Sequence, residues 1–169
     1  MIAKNSSLRI VTLDILKIDY SFSFPSTSFQ VEEVQKILSG YSLDIDYFIR
    51  SEGEEYQVYV KALINHKTSL PGYKIDMQSV GVFLIDEKMT KEEENAFIMQ
   101  SALPMVISFI RTFLITLTTN FPFGKYIMPS IDMADLRAKK LIEIRERSKT
   151  TASATKSAKK VKTKAASKK

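Results

Sequence analysis

Apolar and polar residues alternate with period two in four separate stretches before residue 90. In YSLDIDYFIR, residues 41–50, Tyr41, Leu43, Ile45, Tyr47 and Ile49 are apolar, while Ser42, Asp44, Asp46 and Arg50 are polar. Successive side chains of a strand point to opposite faces, so this pattern predicts a strand with one dry and one wet face. EYQVYVKALINH, residues 55–66, repeats it with Tyr56, Val58, Val60, Ala62 and Ile64 on the dry side. YKIDMQSVGVFLI, residues 73–85, alternates at Tyr73, Ile75 and Met77 and loses the alternation near Gly81, where a glycine predicts a bulge or a close backbone approach. A first strand runs through LRIVTLDILKIDYSFSF, residues 8–24, with Ile18, Tyr20, Phe22 and Phe24 on one side. The short links SEGE and KTSLPG join the second, third and fourth strands into an antiparallel meander. The longer link between the first two strands holds FQVEEVQKIL, where Val31, Val34 and Leu38 fit a short helix.

The period changes at Thr90. In TKEE the threonine hydroxyl is placed to accept from the amide of Glu93, whose carboxylate reaches back, which is a capping box. Glutamates 92 to 94 complement the helix dipole as a solvated first turn. A helix is predicted from there to about Asn120, kinked at Pro104. Its centre, LPMVISFIRTFLITLTTNFPFG (103–124), is the most apolar part of the chain. A membrane span needs about 20 predominantly apolar residues, and Arg111 interrupts this one at a cost of about 2.5–3.5 kcal/mol at mid-span. On a helical wheel Ser108, Arg111, Thr112, Thr116 and Thr119 gather on one side, opposite a wide apolar face. The stretch therefore reads as an amphipathic helix backing the sheet with Phe109, Phe113 and Leu117, and not as a membrane span. Ser108, Thr112 and Thr116 would let a neighbouring subunit approach closely. Arg111 is expected to be a structural ion-pair or capping partner. A second helix begins near Ile131 and Asp132. Strands first and helices last define an α+β domain, with a four-stranded antiparallel sheet packed with a long helix and a second helix.

Composition adjusts this picture in two places. The chain has 169 residues, 44% of them hydrophobic, which suits one domain with a real core. It has no cysteine, which removes disulfides, thiolate zinc sites and thiol nucleophiles. The formal net charge of +6 belongs to one segment: residues 148–169 hold eight lysines and no acid, and setting those lysines aside turns +6 into −2. That segment is too poor in large apolar residues to offset its ordering entropy, so it is expected to be a disordered basic tail following a domain of residues 1–147. Lys156, Lys159, Lys160, Lys162 and Lys164 are its candidates for polyanion or nucleic-acid contact. Asp14 and Asp19 break any signal-peptide pattern near the N-terminus, which implies a cytoplasmic protein. The only histidine, His66, stands at a strand end without a nucleophile or ligand set around it. With no phosphate loop and no metal constellation, the reading is a protein that is not an enzyme and needs no cofactor.

Three segments in order carry a resemblance. DYSFSFP (19–25), DMQSVGVFLI (76–85) and LPMVISFIRTFLITLTTNFPFGKYIMPSID (103–132) resemble the SecB family of protein-export chaperones over about residues 8 to 147. The likeness lies in D-x-S-F before a proline, a glycine two residues before an aromatic, and a proline, an aromatic-x-Arg, Phe-Pro and a last proline before the final helix. It implies a sheet backed by a long helix, subunits assembled as a dimer of dimers (a homotetramer), and ATP-independent holding of unfolded precursors for translocation by SecA. The second helix would act as a lid. On this resemblance Phe22, Phe24, Tyr41, Phe121, Ile127, Met133 and Leu136 line a client groove, Asp19 and Asp76 occupy positions tied to translocase docking, and Ser108, Thr112 and Thr116 meet a neighbouring subunit. The chain departs from the family pattern at Ser23, at Ser108-Phe109, at Asp132-Met133 and in its lysine tail, which stands where the family has an acidic end. These departures leave open SecB-like clients outside export, such as an antitoxin.

Overall fold

The computed structural model describes residues 6–25 and 30–146. Its four strands are β1 (Leu8–Ser23), β2 (Leu43–Glu52), β3 (Glu55–Ile64) and β4 (Gly72–Ile85). They form one antiparallel sheet in the order β1-β4-β3-β2. Helix α1 (Val31–Ser39) lies in the long link after β1. The four-stranded sheet, long helix and further helix are the α+β arrangement that the periodicity predicts. The chain divides into two compact units, residues up to Pro129 and residues from Ser130 onward. The lysine tail lies outside the described residues.

Alternation becomes burial most completely on the central strands. Tyr56, Val58, Val60, Ala62 and Ile64 of β3 are all buried, as are Tyr73, Ile75 and Met77 of β4. On the edge strand β2 the dry positions are less covered, and Tyr47 alone among them is fully buried. Tyr41 precedes that strand and does not belong to it.

The long helix, α2, runs from Lys91 to Thr118 over 28 residues and is apolar and long enough, by length and composition, to cross a membrane. Its buried residues recur as a helix packed on a sheet requires: Ile98, Ala102, Leu103, Val106, Ile107, Ile110, Leu114 and Thr118. Phe109, Phe113 and Leu117, expected to back the sheet, instead flank this stripe and are only half-buried. The difference is one of helical phase: the wheel showed a wide apolar face, and the sheet takes only its centre. The capping box forms as predicted, with Glu93 N donating to Thr90 Oγ1 at 3.3 Å and Thr90 N donating to Glu93 Oε2 at 2.9 Å. The irregularity attributed to Pro104 falls just before it, as a π-helical turn over Ile98–Ala102. Pro104 has no amide proton to give to the carbonyl four residues earlier, and one wider turn accommodates the missing bond.

Gly81 is where sheet and helix come closest. A Cβ built on it would lie 2.6 Å from Val106 Cγ2 of α2, 2.6 Å from Phe83 and 2.9 Å from Leu13. The pairing of Val58 with Gly81 and of Gly81 with Leu13 is unbroken, so the glycine serves close approach and not a bulge. The bulges are on β1 instead, where the register skips Val11 and Leu16.

Gly81→Ala is therefore expected to destabilise the fold by about 1–3 kcal/mol through overpacking. Urea unfolding would read the loss, and adding Val106→Ala should recover part of it by removing the nearest methyl. A Gly81→Ala chain as stable as the parent would contradict the close approach.

Candidate client-binding surface

Eight aromatic rings collect where the end of β1, the start of β4 and the segment after α2 meet. Tyr20 stacks on Phe121 with centroids 4.6 Å apart. Phe22 contacts Phe24 at 5.0 Å, Phe123 at 5.1 Å and Tyr73 at 5.5 Å. Tyr41 lies 6.5 Å from Tyr73 and 5.8 Å from Tyr126. The cluster is graded in exposure. Tyr41, Tyr73, Phe123 and Tyr126 are buried, Phe22 and Phe121 are half-buried, and Phe24 is 81% exposed. Ile127, in the same segment as Tyr126, is 59% exposed.

Hydroxyl groups hold the buried half in place. Tyr41 Oη donates to the Pro71 carbonyl at 2.8 Å and accepts from Tyr73 N at 2.8 Å. Tyr73 Oη donates to the Gly124 carbonyl at 2.6 Å and accepts from Phe123 N at 3.0 Å. Thr118 Oγ1 donates to Leu114 O and accepts from Tyr126 N, both at 2.7 Å. Arg111 donates from Nε to Met128 O at 3.1 Å and from Nη2 to Pro129 O at 3.2 Å. The role is structural, as expected, but it is exercised by holding carbonyls of an irregular segment 17 and 18 residues onward and not by capping a helix end. Room for the Tyr41 hydroxyl exists because residue 72 is glycine: at φ 102° it has no Cβ, which would otherwise lie 2.7 Å from the Phe123 ring. Asn65 fixes the preceding loop, donating from Nδ2 to Leu70 O and Tyr73 O at 2.7 and 2.8 Å.

The predicted groove residues are thus distributed as follows. Phe22, Phe24, Tyr41 and Phe121 come together in the cluster, with Tyr41 as part of its buried floor. Met133 and Leu136 lie on the last helix, α3 (residues 133–146), in the second compact unit. Asp132 caps that helix, its Oδ1 accepting from Ala134 N at 2.8 Å and Asp135 N at 3.0 Å. The sequence reading did not assign Tyr73, Phe123 and Tyr126 to this site. The available signal was Gly72 beside a dry-face tyrosine, together with the aromatic spacing of NFPFGKY.

Asp19 and Asp76 face each other across β1 and β4 on the other face of the sheet. Two carboxylates directly opposite repel, and lysines lie between them. Lys17 Nζ is 2.5 Å from Asp19 and 3.6 Å from Asp76, and Lys61 Nζ is 3.7 Å from Asp76. The Asp19 carboxylate, followed by the Asp76 charge, raises the pKa of Lys17. These two acids therefore carry their own counter-ions.

Ser108, Thr112 and Thr116 are exposed on α2. Their hydroxyl donors turn back on the helix, with Thr112 Oγ1 donating to Ser108 O and Thr116 Oγ1 to Thr112 O, each at 3.1 Å. The stripe offers small size more than free hydrogen bonds. His66 is half-buried, and its Nε2 has no hydrogen-bond partner among the described residues. Among those residues no group of acids and histidines is arranged to hold a metal ion. The lysines at 156, 159, 160, 162 and 164 lie outside the described residues.

Comparison with known proteins gives a fold and no closer relation. No family model matches the chain, and no curated protein sequence matches it. A solved structure of the SecB-like chaperone Rv1957 of Mycobacterium tuberculosis, in complex with a ChAD peptide from the Rv1956 HigA1 antitoxin, is similar with a TM-score of 0.53. Identity is 13%, and the match covers 73% of this chain and 90% of that one. The chain has a SecB-like fold.

Burial raises the Tyr41, Tyr73 and Tyr126 hydroxyls to about 12. A phenol raised above its unfolded value of about 10 keeps its proton in the fold while the unfolded chain releases it. Their stabilising contribution is complete below pH 10 and is lost as pH rises toward 12. An absorbance titration of phenolate should show these three ionising late and together with loss of near-ultraviolet ellipticity. All seven tyrosines titrating near pH 10 in a folded chain would contradict this.

Proposed function

We propose that the protein is an ATP-independent chaperone that holds unfolded polypeptide segments against the open edge of the aromatic cluster. The observation that supports this most directly is the gradation from a hydrogen-bonded floor to Phe24 at 81% exposure. A rigid floor keeps the exposed rings apart from the core, and rings exposed beside one another bury apolar segments of varied sequence. The SecB-like fold is consistent with this use, since its structural neighbour is a chaperone in complex with an antitoxin peptide.

For the destination of the held chain, the resemblance to export chaperones supports keeping precursors translocation-competent for SecA, with assembly as a dimer of dimers in the cytoplasm. Two observations favour a second reading, clients outside export such as an antitoxin. One is the pairing of Asp19 and Asp76 by Lys17 and Lys61, which leaves little uncompensated negative charge for a docking partner. The other is the antitoxin peptide carried by the structural neighbour.

The holding reading is tested by diluting a slow-folding precursor from denaturant into the full chain without nucleotide. Aggregation should be suppressed, and Phe24→Asp with Ile127→Asp should lose most of that suppression at unchanged melting temperature, because both residues are exposed. No suppression by the parent chain would sink the proposal. Calorimetric titration with SecA separates the two destinations. The export reading requires binding that Asp19→Asn weakens, and the non-export reading requires none until Lys17→Gln uncovers the acids.

A further inference from the structure

The segment that leaves α2 shows the alternation of a strand without a strand partner. Tyr126 and Met128 are 2% and 1% exposed, while Lys125, Ile127 and Pro129 between and beside them are exposed. Burial with period two marks an extended chain. Its main-chain polar groups are sorted in the same way. Tyr126 N donates to Thr118 Oγ1 at 2.7 Å, and Met128 O accepts from Arg111 Nε at 3.1 Å, so side chains of α2 satisfy the even-numbered residues. Successive residues of an extended chain direct N–H and C=O to opposite edges. The amides and carbonyls of Lys125 and Ile127 therefore turn away from those partners, and no group among the described residues takes them up. The edge stops at Pro129, which has no amide proton and whose carbonyl Arg111 also holds, at 3.2 Å.

We propose that an extended client segment adds to this edge as a strand, exchanging main-chain hydrogen bonds with Lys125 and Ile127. The proposal rests on the client-holding reading and gives it a mode of recognition. Two residues of one edge, about 7 Å apart, present two donors and two acceptors at the strand repeat. An extended polypeptide matches that spacing, whereas a helix has already spent its amides and carbonyls on itself. Main-chain bonding is also indifferent to the client's side chains, so it serves segments of varied sequence. Ile127, at 59% exposure, adds an apolar contact on the face of the added strand. A second copy of this chain is the other occupant with an extended segment to offer. Two bonding residues are too few to join two copies by themselves, while a client already held by the exposed rings gains from each bond.

The test is hydrogen exchange of the full chain, read amide by amide, alone and with the unfolded precursor used to test holding. The Lys125 and Ile127 amides are expected to exchange about tenfold or more slowly with saturating precursor. The Phe123 and Tyr126 amides, which already donate to Tyr73 and Thr118, should be slow in both states. Replacing the Ile127 amide by an ester, through the α-hydroxy analogue of isoleucine, removes the donor and keeps the side chain. That change should weaken precursor binding by about two- to tenfold, the worth of one hydrogen bond, at unchanged melting temperature. Precursor held while both amides exchange as fast as in the free chain, or held equally well by the ester chain, would overturn the proposal and leave client holding intact. Protection of the two amides that rises with protein concentration in the absence of precursor would overturn it in favour of a second copy. Failure to hold the precursor at all would remove the holding reading, and this mode with it.

Discussion

The aromatic surface depends on one buried phenol. Tyr73 receives its backbone geometry from the hydroxyl of Tyr41, which takes the Tyr73 amide proton. With its own hydroxyl it holds both the Phe123 amide and the Gly124 carbonyl. Removing that oxygen would take one hydrogen bond from the Phe123 amide and one from the Gly124 carbonyl, each typically worth about 0.5–1.5 kcal/mol. The strap from Phe121 to Met128 has no regular hydrogen-bond ladder of its own, so side chains do that work. Tyr73 holds it near its start, Thr118 at Tyr126 and Arg111 at its end. What lies beyond these anchors, at Phe24 and Ile127, is open because nothing in the described chain covers it.

The sheet's two faces are governed by different physics. On the helix side, size decides: β4 yields its side chain at Gly81 so that Val106 can settle against the strand. On the other side, charge decides. Register brings Asp19 opposite Asp76, and Lys17 and Lys61 are the residues that make that adjacency tolerable. Such exposed pairs add little to stability. Their effect is on what the surface presents to a partner, which is a balanced array and not an acidic one.

Much of the architecture was legible in the sequence because period two and period 3.6 are local signals. The meander of β2, β3 and β4, the capping box at Thr90 and the helix start at Asp132 follow from neighbours within a few positions, whereas the place of β1 beside β4 and the choice between bulge and close approach at Gly81 do not. The candidate site was legible only in part. Phe22, Phe24, Tyr41 and Phe121 could be picked as aromatic residues near strand ends, but their sorting into floor and rim depends on a hydroxyl reaching 30 residues to Pro71 and another reaching 51 residues to Gly124. The phase of α2 was misjudged for the same reason. A wheel shows which side is apolar, while the line of contact is set by where Gly81 lets the helix descend.

The two bulges of β1 also have a consequence for how the molecule treats other chains. A 16-residue strand at the rim of a sheet is an open template, its outer edge paired with no other strand among the described residues. Skipping Val11 and Leu16 divides that template into short runs, of which residues 17–23 are the longest. An extended polypeptide laid against the rim loses step at each interruption, so it cannot zip along the full strand and seed a growing fibril. The rim of the sheet thereby avoids becoming a nucleus on which other chains could stack.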